Sequence, residues 1–279
     1  MAAGNVTPGD SSPGRAQRAP GLVSFKTSGT RNAETPTVEA FPGGESFTVT
    51  KSDQRKMRLL RMKKNVLTTA RLHQEELERE NRRYQAAMVT LTYRPGERWE
   101  KRHISEYLAR VRKWCNRQGV RFRYDWVAEI QEKRYRASGC DVREALHFHV
   151  LVFLPKGLTL PKADKQGWWP HGMTRTERVK FSAIGYLAKY ASKGTADDVP
   201  FPKGCRIHGA GGLSETSRNE RAWWNCPAWV REKYSIEDRP RRAKGGGFVL
   251  KASGEWVPSP YLVFCVAGVV FVVPRPPPD

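Results

Sequence analysis

The spacing of apolar and polar positions predicts alternating strands and helices in the middle of the chain. Residues 86–93, 121–131 and 145–154 alternate with a period of two or are apolar throughout, which is typical of strands. Residues 103–118 and 176–193 have apolar positions three and four apart, which predicts helices that end at a following glycine. The last strand is apolar on both faces and is expected at the centre of its sheet. This order indicates an α/β fold of the α+β type, with a split βαβ-like antiparallel sheet covered by helices.

The flanking regions differ in composition from this middle segment. Residues 1–50 are rich in Gly, Pro, Ser and Thr and show no period, so we expect a disordered tail. Residues 51–84 predict a basic, charged helix, residues 133–144 a charged loop, and residues 196–279 a C-terminal extension with short strands. The apolar run at 261–273 is too short to span a bilayer as a helix and predicts two short strands around a turn. We therefore expect no membrane partner.

The charge of the chain favours a polyanionic partner. The 279 residues include 49 Lys and Arg against 28 Asp and Glu, which gives a formal net charge of +21. Residues 85–195 alone contain 22 basic and 10 acidic residues, so the positive field is concentrated on the segment of the predicted sheet. Five widely spaced cysteines without a C-x-x-C pair argue against a disulfide scaffold or a zinc finger, and for a reducing compartment.

Two histidines form the first candidate site. His147 and His149 flank Phe148 in a predicted strand, and the alternation of a strand places both imidazoles on one face. On a rigid strand such a pair offers two ligands to one metal ion. From the residues alone, a pair of buried, hydrogen-bonded histidines is an equally good interpretation.

A carboxylate on the preceding strand is the third candidate ligand. Glu129 and Gln131 share one face of that strand, and one of them reaches the metal if the two strands pair antiparallel. Glu129 is the better candidate because it lies closer to the apolar stretch at 126–128. Two histidines and one carboxylate with open positions do not resemble a closed structural zinc site. This donor set suits Mg²⁺ or Mn²⁺ held partly by phosphate oxygens.

Two tyrosines and two lysines share one face of the last predicted helix. Tyr186 and Tyr190 are four residues apart, and Lys189 and Lys193 lie on the same side, opposite the apolar stripe that contains Leu187. Phenol and ammonium groups on an exposed face suit an anionic ligand. A phenol with a pKa of about 10 needs activation before it attacks a phosphate, and neighbouring lysines and a metal can provide it.

These motifs, in this order, resemble those of the HUH endonucleases, specifically the rolling-circle replication initiators of single-stranded DNA phages. The stretch VTLTY (89–93) is similar to that family's first motif, HFHVLVF (147–153) to its second and YLAKYASK (186–193) to its third. The stretch WVAEIQEK (126–133) resembles the segment with the family's third metal ligand, and LPKADKQGWWPHGM (160–173) resembles initiators of filamentous phages.

The resemblance implies a nicking domain at residues 85–195 that cuts and rejoins single-stranded or supercoiled DNA at a replication origin. Bound Mg²⁺ or Mn²⁺ would polarise the scissile phosphate. One tyrosine would attack it, leaving a 5′-phosphotyrosine link and a free 3′-OH, and the second would later close the circle. The implied location is the cytoplasm of a bacterial host, with a host polymerase and helicase as further partners. The residues implied for metal binding are His147, His149 and Glu129, and those for catalysis are Tyr186, Tyr190, Lys189 and Lys193.

Two alternative functions stay open at this stage. An HUH transposase would use the same chemistry on mobile-element ends, but it needs DNA-end-binding architecture that we do not identify in the sequence. A non-catalytic nucleic-acid-binding protein with a split βαβ-like sheet needs no tyrosine pair opposite an apolar stripe.

The remaining histidines and two tryptophans are candidates for structural roles. His73 and His103 are expected at the surface, and His171 is expected to pack within its loop. Trp168 and Trp169 either stack on unpaired bases or pack in the core.

Overall fold

The computed structural model describes residues 47–49, 51–179, 185, 187–189, 200–244, 246–266 and 269–276. Its helices are α1 (Lys51–Arg79), α2 (His103–Arg117), α3 (Glu132–Ser138), α4 (Glu215–Trp224) and α5 (Ala228–Lys233). Its strands are β1 (Phe47–Val49), β2 (Tyr84–Thr92), β3 (Arg123–Ile130), β4 (Leu146–Pro155), β5 (Thr174–Arg178), β6 (His208–Gly211), β7 (Pro240–Arg242), β8 (Phe248–Leu250), β9 (Trp256–Val257), β10 (Tyr261–Val266) and β11 (Val269–Pro274).

The chain forms two compact units, of which the smaller comprises residues 1–49 and 261–279. Its described part is an antiparallel sheet with the strand order β1-β11-β10. The β10–β11 pair confirms the two strands predicted for the apolar run at 261–273. β1 corrects the predicted extent of the tail at 1–50, because residues 47–49 pair with β11, while the rest of that tail lies outside the described residues. Within the described part of the chain, no helix is both long and apolar enough to cross a membrane.

Residues 50–260 form the larger unit, which is built on a five-stranded antiparallel sheet with the order β5-β2-β4-β3-β6. β4 lies at the centre, and every residue from Leu146 to Leu154 is buried. A strand that is apolar on both faces is most stable where both faces are covered, which explains its central position. The sheet confirms the predicted α+β fold with a central antiparallel sheet.

Helix α1 covers one face of this sheet, the face that carries Arg123 and Phe153. The His73 ring lies 5.0 Å from the Phe153 ring, and Glu76 forms an ion pair with Arg123. The expectation that His73 lies at the surface is wrong, because its side chain is fully buried between the helix and the sheet. Burial lowers the pKa of His73 to about 3, so the imidazole is neutral in the fold.

Helix α2 packs on the opposite face, which carries Tyr93 and Phe148. The Tyr93 hydroxyl lies 3.1 Å from Nδ1 of His103, the first residue of α2. His103 is therefore buried too, which again corrects an expected surface position. The amphipathic pattern of the helix is confirmed, since its buried side chains include Ile104, Tyr107, Leu108, Val111, Trp114 and Cys115.

Two predicted elements differ from the structure. Residues 133–144 contain helix α3 instead of only a loop, and Gly139 ends that helix with a φ of 58°. The helix predicted at 176–193 overlaps strand β5, which pairs with β2 at the edge of the sheet. Both segments are rich in charge and lack a clear apolar face, so tertiary pairing decided their conformation and local periodicity did not. Within 180–199 the structure describes only residue 185 and residues 187–189, which are helical.

A buried ion network joins α1 to β3. The guanidinium of Arg123 donates one amino group to Glu76 and the other to Glu80, and Glu76 also accepts a hydrogen bond from the backbone nitrogen of Ser214 at 2.7 Å. Burial by itself would raise the pKa of Glu76, but the hydrogen bonds from Ser214 and Arg123 lower it to about 2. The loss of one partner would leave a buried charge uncompensated, so this network holds α1 on the sheet.

We expect Glu76→Gln to lower the free energy of unfolding by about 3 kcal/mol at neutral pH, because it leaves the buried Arg123 with one carboxylate instead of two. The pKa of Glu76 is about 2 in the fold and near 4.5 when unperturbed, so its contribution is complete above 4.5 and is lost as pH falls towards 2. The measurement is denaturant unfolding of both proteins between pH 7 and 3.

Glu78→Gln is the matched control, because Glu78 lies on the exposed side of the same helix. Its unfolding free energy should stay within about 0.5 kcal/mol of the parent. Equal effects of the two variants, or a Glu76 effect that is constant down to pH 3, would contradict the assigned network.

Candidate functional site

The pairing register of three strands aligns the candidate site residues in one row. Glu129 of β3 is paired with His147 of β4, and Thr92 of β2 is paired with the same histidine from the other side. Thr90 of β2 is paired with His149. Because side chains on alternate strand positions share a face, these five residues lie on one face of the sheet. The antiparallel pairing that brings Glu129 to the histidines is thus present.

Both imidazoles contact side chains of the neighbouring strands. Nε2 of His149 lies 2.6 Å from Oε2 of Glu129, and Nδ1 of His149 lies 3.2 Å from Oγ1 of Thr90. Nδ1 of His147 lies 3.4 Å from Oγ1 of Thr92. Each histidine therefore has a threonine hydroxyl at Nδ1, whereas the carboxylate contacts Nε2 of His149.

Burial leaves one nitrogen of this row without a partner. His147 is 7% and His149 4% exposed. Nε2 of His147 is buried and has no hydrogen-bond partner among the described residues. Burial lowers the pKa of His147 to about 4, helped by the neighbouring His149 and opposed by Glu129. A neutral imidazole has a lone pair on one nitrogen, which is the form that binds a metal ion.

Glu129 and not Gln131 is the carboxylate-strand residue that contacts a histidine. Gln131 follows the last residue of β3 and caps α3, where its side chain is exposed. In the part of the chain that the structure describes, no group of three His, Cys, Asp or Glu side chains is arranged as a metal-binding cluster. Glu129 and His149 are instead in direct contact with each other.

The proposed nucleophiles lie largely outside the described residues. This applies to Tyr186, Tyr190 and Lys193. Lys189 is described and exposed on a helical segment, and Leu187, two residues before it, is buried. These two positions agree with the predicted division of the helix into an apolar stripe and a charged face.

Sequence reasoning missed Arg134, a cation close to the histidines. Arg134 lies in α3, which was expected to be a loop, and it donates a hydrogen bond of 2.7 Å to the carbonyl oxygen of Tyr93. Its charge contributes to the low pKa of His147. It also missed the contacts of Thr90 and Thr92, although their common face was visible from strand alternation.

A loop clasps the end of β2 next to the site. The Trp169 indole donates a hydrogen bond of 3.1 Å to the carbonyl oxygen of Thr92, and the backbone nitrogen of Thr92 donates to the carbonyl oxygen of Met173 at 2.9 Å. His171 stacks on His103 with ring centroids 3.6 Å apart, which agrees with its expected packing role. Trp168 and Trp169 are both buried, so they pack in the core and do not offer free faces for bases.

Comparison with known proteins bears on the segment that contains this row. Residues 86–195 match a family model of replication-associated proteins, the one described by the name ORF2. The match covers less than half of the chain, and it includes all of the residues from Thr90 to His149 that form the row. It supports a replication-associated protein, which is the coarser part of the resemblance seen in the sequence. No curated protein and no solved structure matches the chain.

Gly172 tests the role of the clasping loop. A methyl group at this position would overlap the Thr92 carbonyl oxygen and the Arg94 nitrogen, which are backbone atoms that cannot turn away. We therefore expect Gly172→Ala to displace the loop from β2 and to lower the free energy of unfolding by about 3 kcal/mol. Denaturant unfolding followed by tryptophan fluorescence measures the effect, because Trp169 is buried in this loop.

Gly139→Ala provides the comparison. Its Cβ would meet nothing within 4 Å, so only the left-handed φ of 58° opposes the change, at a cost of about 1 kcal/mol. If Gly172→Ala proved no more harmful than Gly139→Ala, the close approach of the loop to Thr92 would be wrong.

Proposed function

We propose that this protein is a site-specific endonuclease of the HUH type, which nicks and rejoins DNA at a replication origin to initiate rolling-circle replication. The observation that carries the proposal is the row of His147, His149 and Glu129 on adjacent strands, within the segment that matches a replication-associated family. The resemblance of the tyrosine-containing segment at 186–193 supports a nicking activity beyond DNA binding.

The donor set of the row fits a divalent metal. Nε2 of His147 is a buried nitrogen without a hydrogen-bond partner in the described residues, and Oε2 of Glu129 already lies at Nε2 of His149. We propose that these three side chains hold Mg²⁺ or Mn²⁺, because one hard carboxylate and two imidazoles leave coordination positions for phosphate oxygens. When bound, the metal supplies Lewis-acid polarisation of the scissile phosphate.

A tyrosine acts as the nucleophile in the proposed reaction. The phenol oxygen of Tyr190 or Tyr186 forms a bond to phosphorus, the bond from phosphorus to the 3′ oxygen breaks, and the phenol proton is lost as the 3′ oxygen gains one. The product is a 5′-phosphotyrosine link and a free 3′-OH for polymerase extension. Lys189 and Lys193 steady the phosphate charge. The second tyrosine accepts the strand in a later transesterification that closes the circle.

The net charge of the matched region is consistent with this substrate. Residues 85–195 carry 22 basic and 10 acidic residues, which suits binding to single-stranded or supercoiled origin DNA. A host polymerase and helicase complete the proposed reaction in the cytoplasm of a bacterial host. Because binding draws on the whole basic surface, it should be separable from cutting by substitutions in the histidine row.

The double variant Tyr186→Phe with Tyr190→Phe should abolish the covalent protein–DNA adduct, while at least one single variant still nicks. Phenylalanine keeps the ring and its packing, so the loss reports on the hydroxyl groups. Denaturing electrophoresis of the protein with a labelled oligonucleotide that carries the cognate origin detects the adduct.

Tyr234→Phe is the control, since Tyr234 lies in the larger unit away from the matched segment. It should form the adduct like the parent. An adduct that persists in the double variant, located by peptide mapping at another residue, would show that these tyrosines are not the nucleophiles.

His147→Ala should lower nicking of a supercoiled origin plasmid by more than about 100-fold, because several kcal/mol of transition-state stabilisation come from the metal. Affinity for the origin strand should change by less than about threefold, because it rests on charge. The two measurements are plasmid nicking with added Mn²⁺ and fluorescence anisotropy without metal. Unchanged nicking at saturating Mn²⁺ would refute the metal assignment.

A further inference from the structure

We propose that Thr90 and Thr92 are positioning residues, which hold the two imidazoles so that both Nε2 atoms are presented as metal ligands. The inference rests on the proposed metal-dependent function and extends it to residues that do not touch the metal themselves. Its basis is a repeated contact: each histidine of β4 has its Nδ1 next to the Oγ1 of the threonine paired with it on β2.

A neutral imidazole carries one proton, and the position of that proton decides which nitrogen can bind a metal. If Nδ1 is protonated, Nε2 has the free lone pair and becomes the ligand. The hydroxyls of Thr90 and Thr92 lie 3.2 Å and 3.4 Å from the two Nδ1 atoms and can accept their protons in hydrogen bonds. Such outer partners usually fix the tautomer and ring orientation of a ligating histidine.

The threonine hydroxyls are held in place by the backbone. Thr90 and Thr92 lie on β2, which pairs with β4 on one side and with β5 on the other along residues 87–91. Beyond β5, the backbone nitrogen and oxygen of Thr92 are bonded to Met173 and to the Trp169 indole. Threonine is also stiff at χ1 because its Cβ is branched, so the hydroxyl position varies little. A longer or unbranched side chain would lack this preorganisation.

The hydroxyl has a second useful property, which is that it both donates and accepts. In the contact of His149 with Glu129, Nε2 supplies the proton to the carboxylate, and Thr90 can then donate to Nδ1. When Nε2 is needed as a ligand, the proton lies on Nδ1 and Thr90 accepts it. His149 therefore keeps its hydrogen bond in both states, which a carbonyl or carboxylate partner at Nδ1 would not allow.

Thr90→Val and Thr92→Val, singly and together, test the proposal because valine keeps the branched shape and removes only the hydroxyl. We expect the double variant to bind Mn²⁺ about 10- to 100-fold more weakly than the parent protein. The full-length chain is titrated with Mn²⁺ alone, and free Mn²⁺ is followed by electron paramagnetic resonance. Thr90→Ser with Thr92→Ser should restore most of the affinity.

Thr176→Val is the matched control on the same sheet. Thr176 lies on β5 and is paired with Val89, so it is on the face opposite the site, and its buried Oγ1 has no hydrogen-bond partner among the described residues. This variant should bind Mn²⁺ like the parent. Circular dichroism melting of all variants checks that each is folded before its affinity is compared.

Nitrogen-15 NMR of the histidine rings gives a readout that does not depend on nicking. In the parent protein loaded with diamagnetic Mg²⁺, the Nδ1 signals of His147 and His149 should show attached protons, and in the double valine variant this signature should weaken or be lost. A purely structural role of the threonines would lower thermal stability without changing the ring signals.

The possible outcomes separate this proposal from the proposed function. If the parent protein binds Mn²⁺ and His147→Ala abolishes nicking, but the double valine variant binds Mn²⁺ with unchanged affinity, the positioning role is wrong and the function stands. If the parent protein does not bind Mn²⁺ and His147→Ala still nicks, both proposals are overturned. Weaker Mn²⁺ binding in the valine variants, with rescue by serine, supports the positioning role.

Discussion

The antiparallel register of β4 between β2 and β3 is the constraint on which the site depends. It places Thr92, His147 and Glu129 in one row across three strands. A shift of one residue in either pairing would turn the histidines away from their partners, since successive side chains point to opposite faces. Such a shift would also move the buried face of a strand into a different environment. The burial of β4 on both faces therefore protects the register and the chemistry together.

Stability and proposed chemistry lie at opposite ends of this sheet. Arg123, at the start of β3, is locked to α1 through Glu76 and Glu80. Glu129, which is six residues further along β3, lies about 20 Å away at the usual rise of a strand. At the Arg123 end the buried charges are matched within the fold, whereas at the Glu129 end a buried nitrogen of His147 is left without a protein partner in the described residues. An unmatched polar atom is what a ligand-binding position requires.

The loop around Trp169 explains how the site end of β2 is kept in place without further strand pairing. Trp169 and Met173 bind the backbone of Thr92, and the buried rings of His103 and His171 stack beneath them. Tryptophans that the sequence offered as contacts for unpaired bases thus support the strand that carries the threonines. Under the proposed function, the loop acts on the histidines indirectly, by limiting the positions that the Thr92 hydroxyl can take.

The sequence by itself determined the strands and helix from β2 to β4, because periods of two and of 3.6 are local properties. It also placed the two histidines on one face and favoured Glu129. It did not determine α3, β5 or the burial of His73 and His103, which depend on segments distant in the chain. The threonine–histidine contacts were likewise decided only by tertiary structure. The physical reason is that register is a relation between strands, so the partner of a side chain is set when the strands pair.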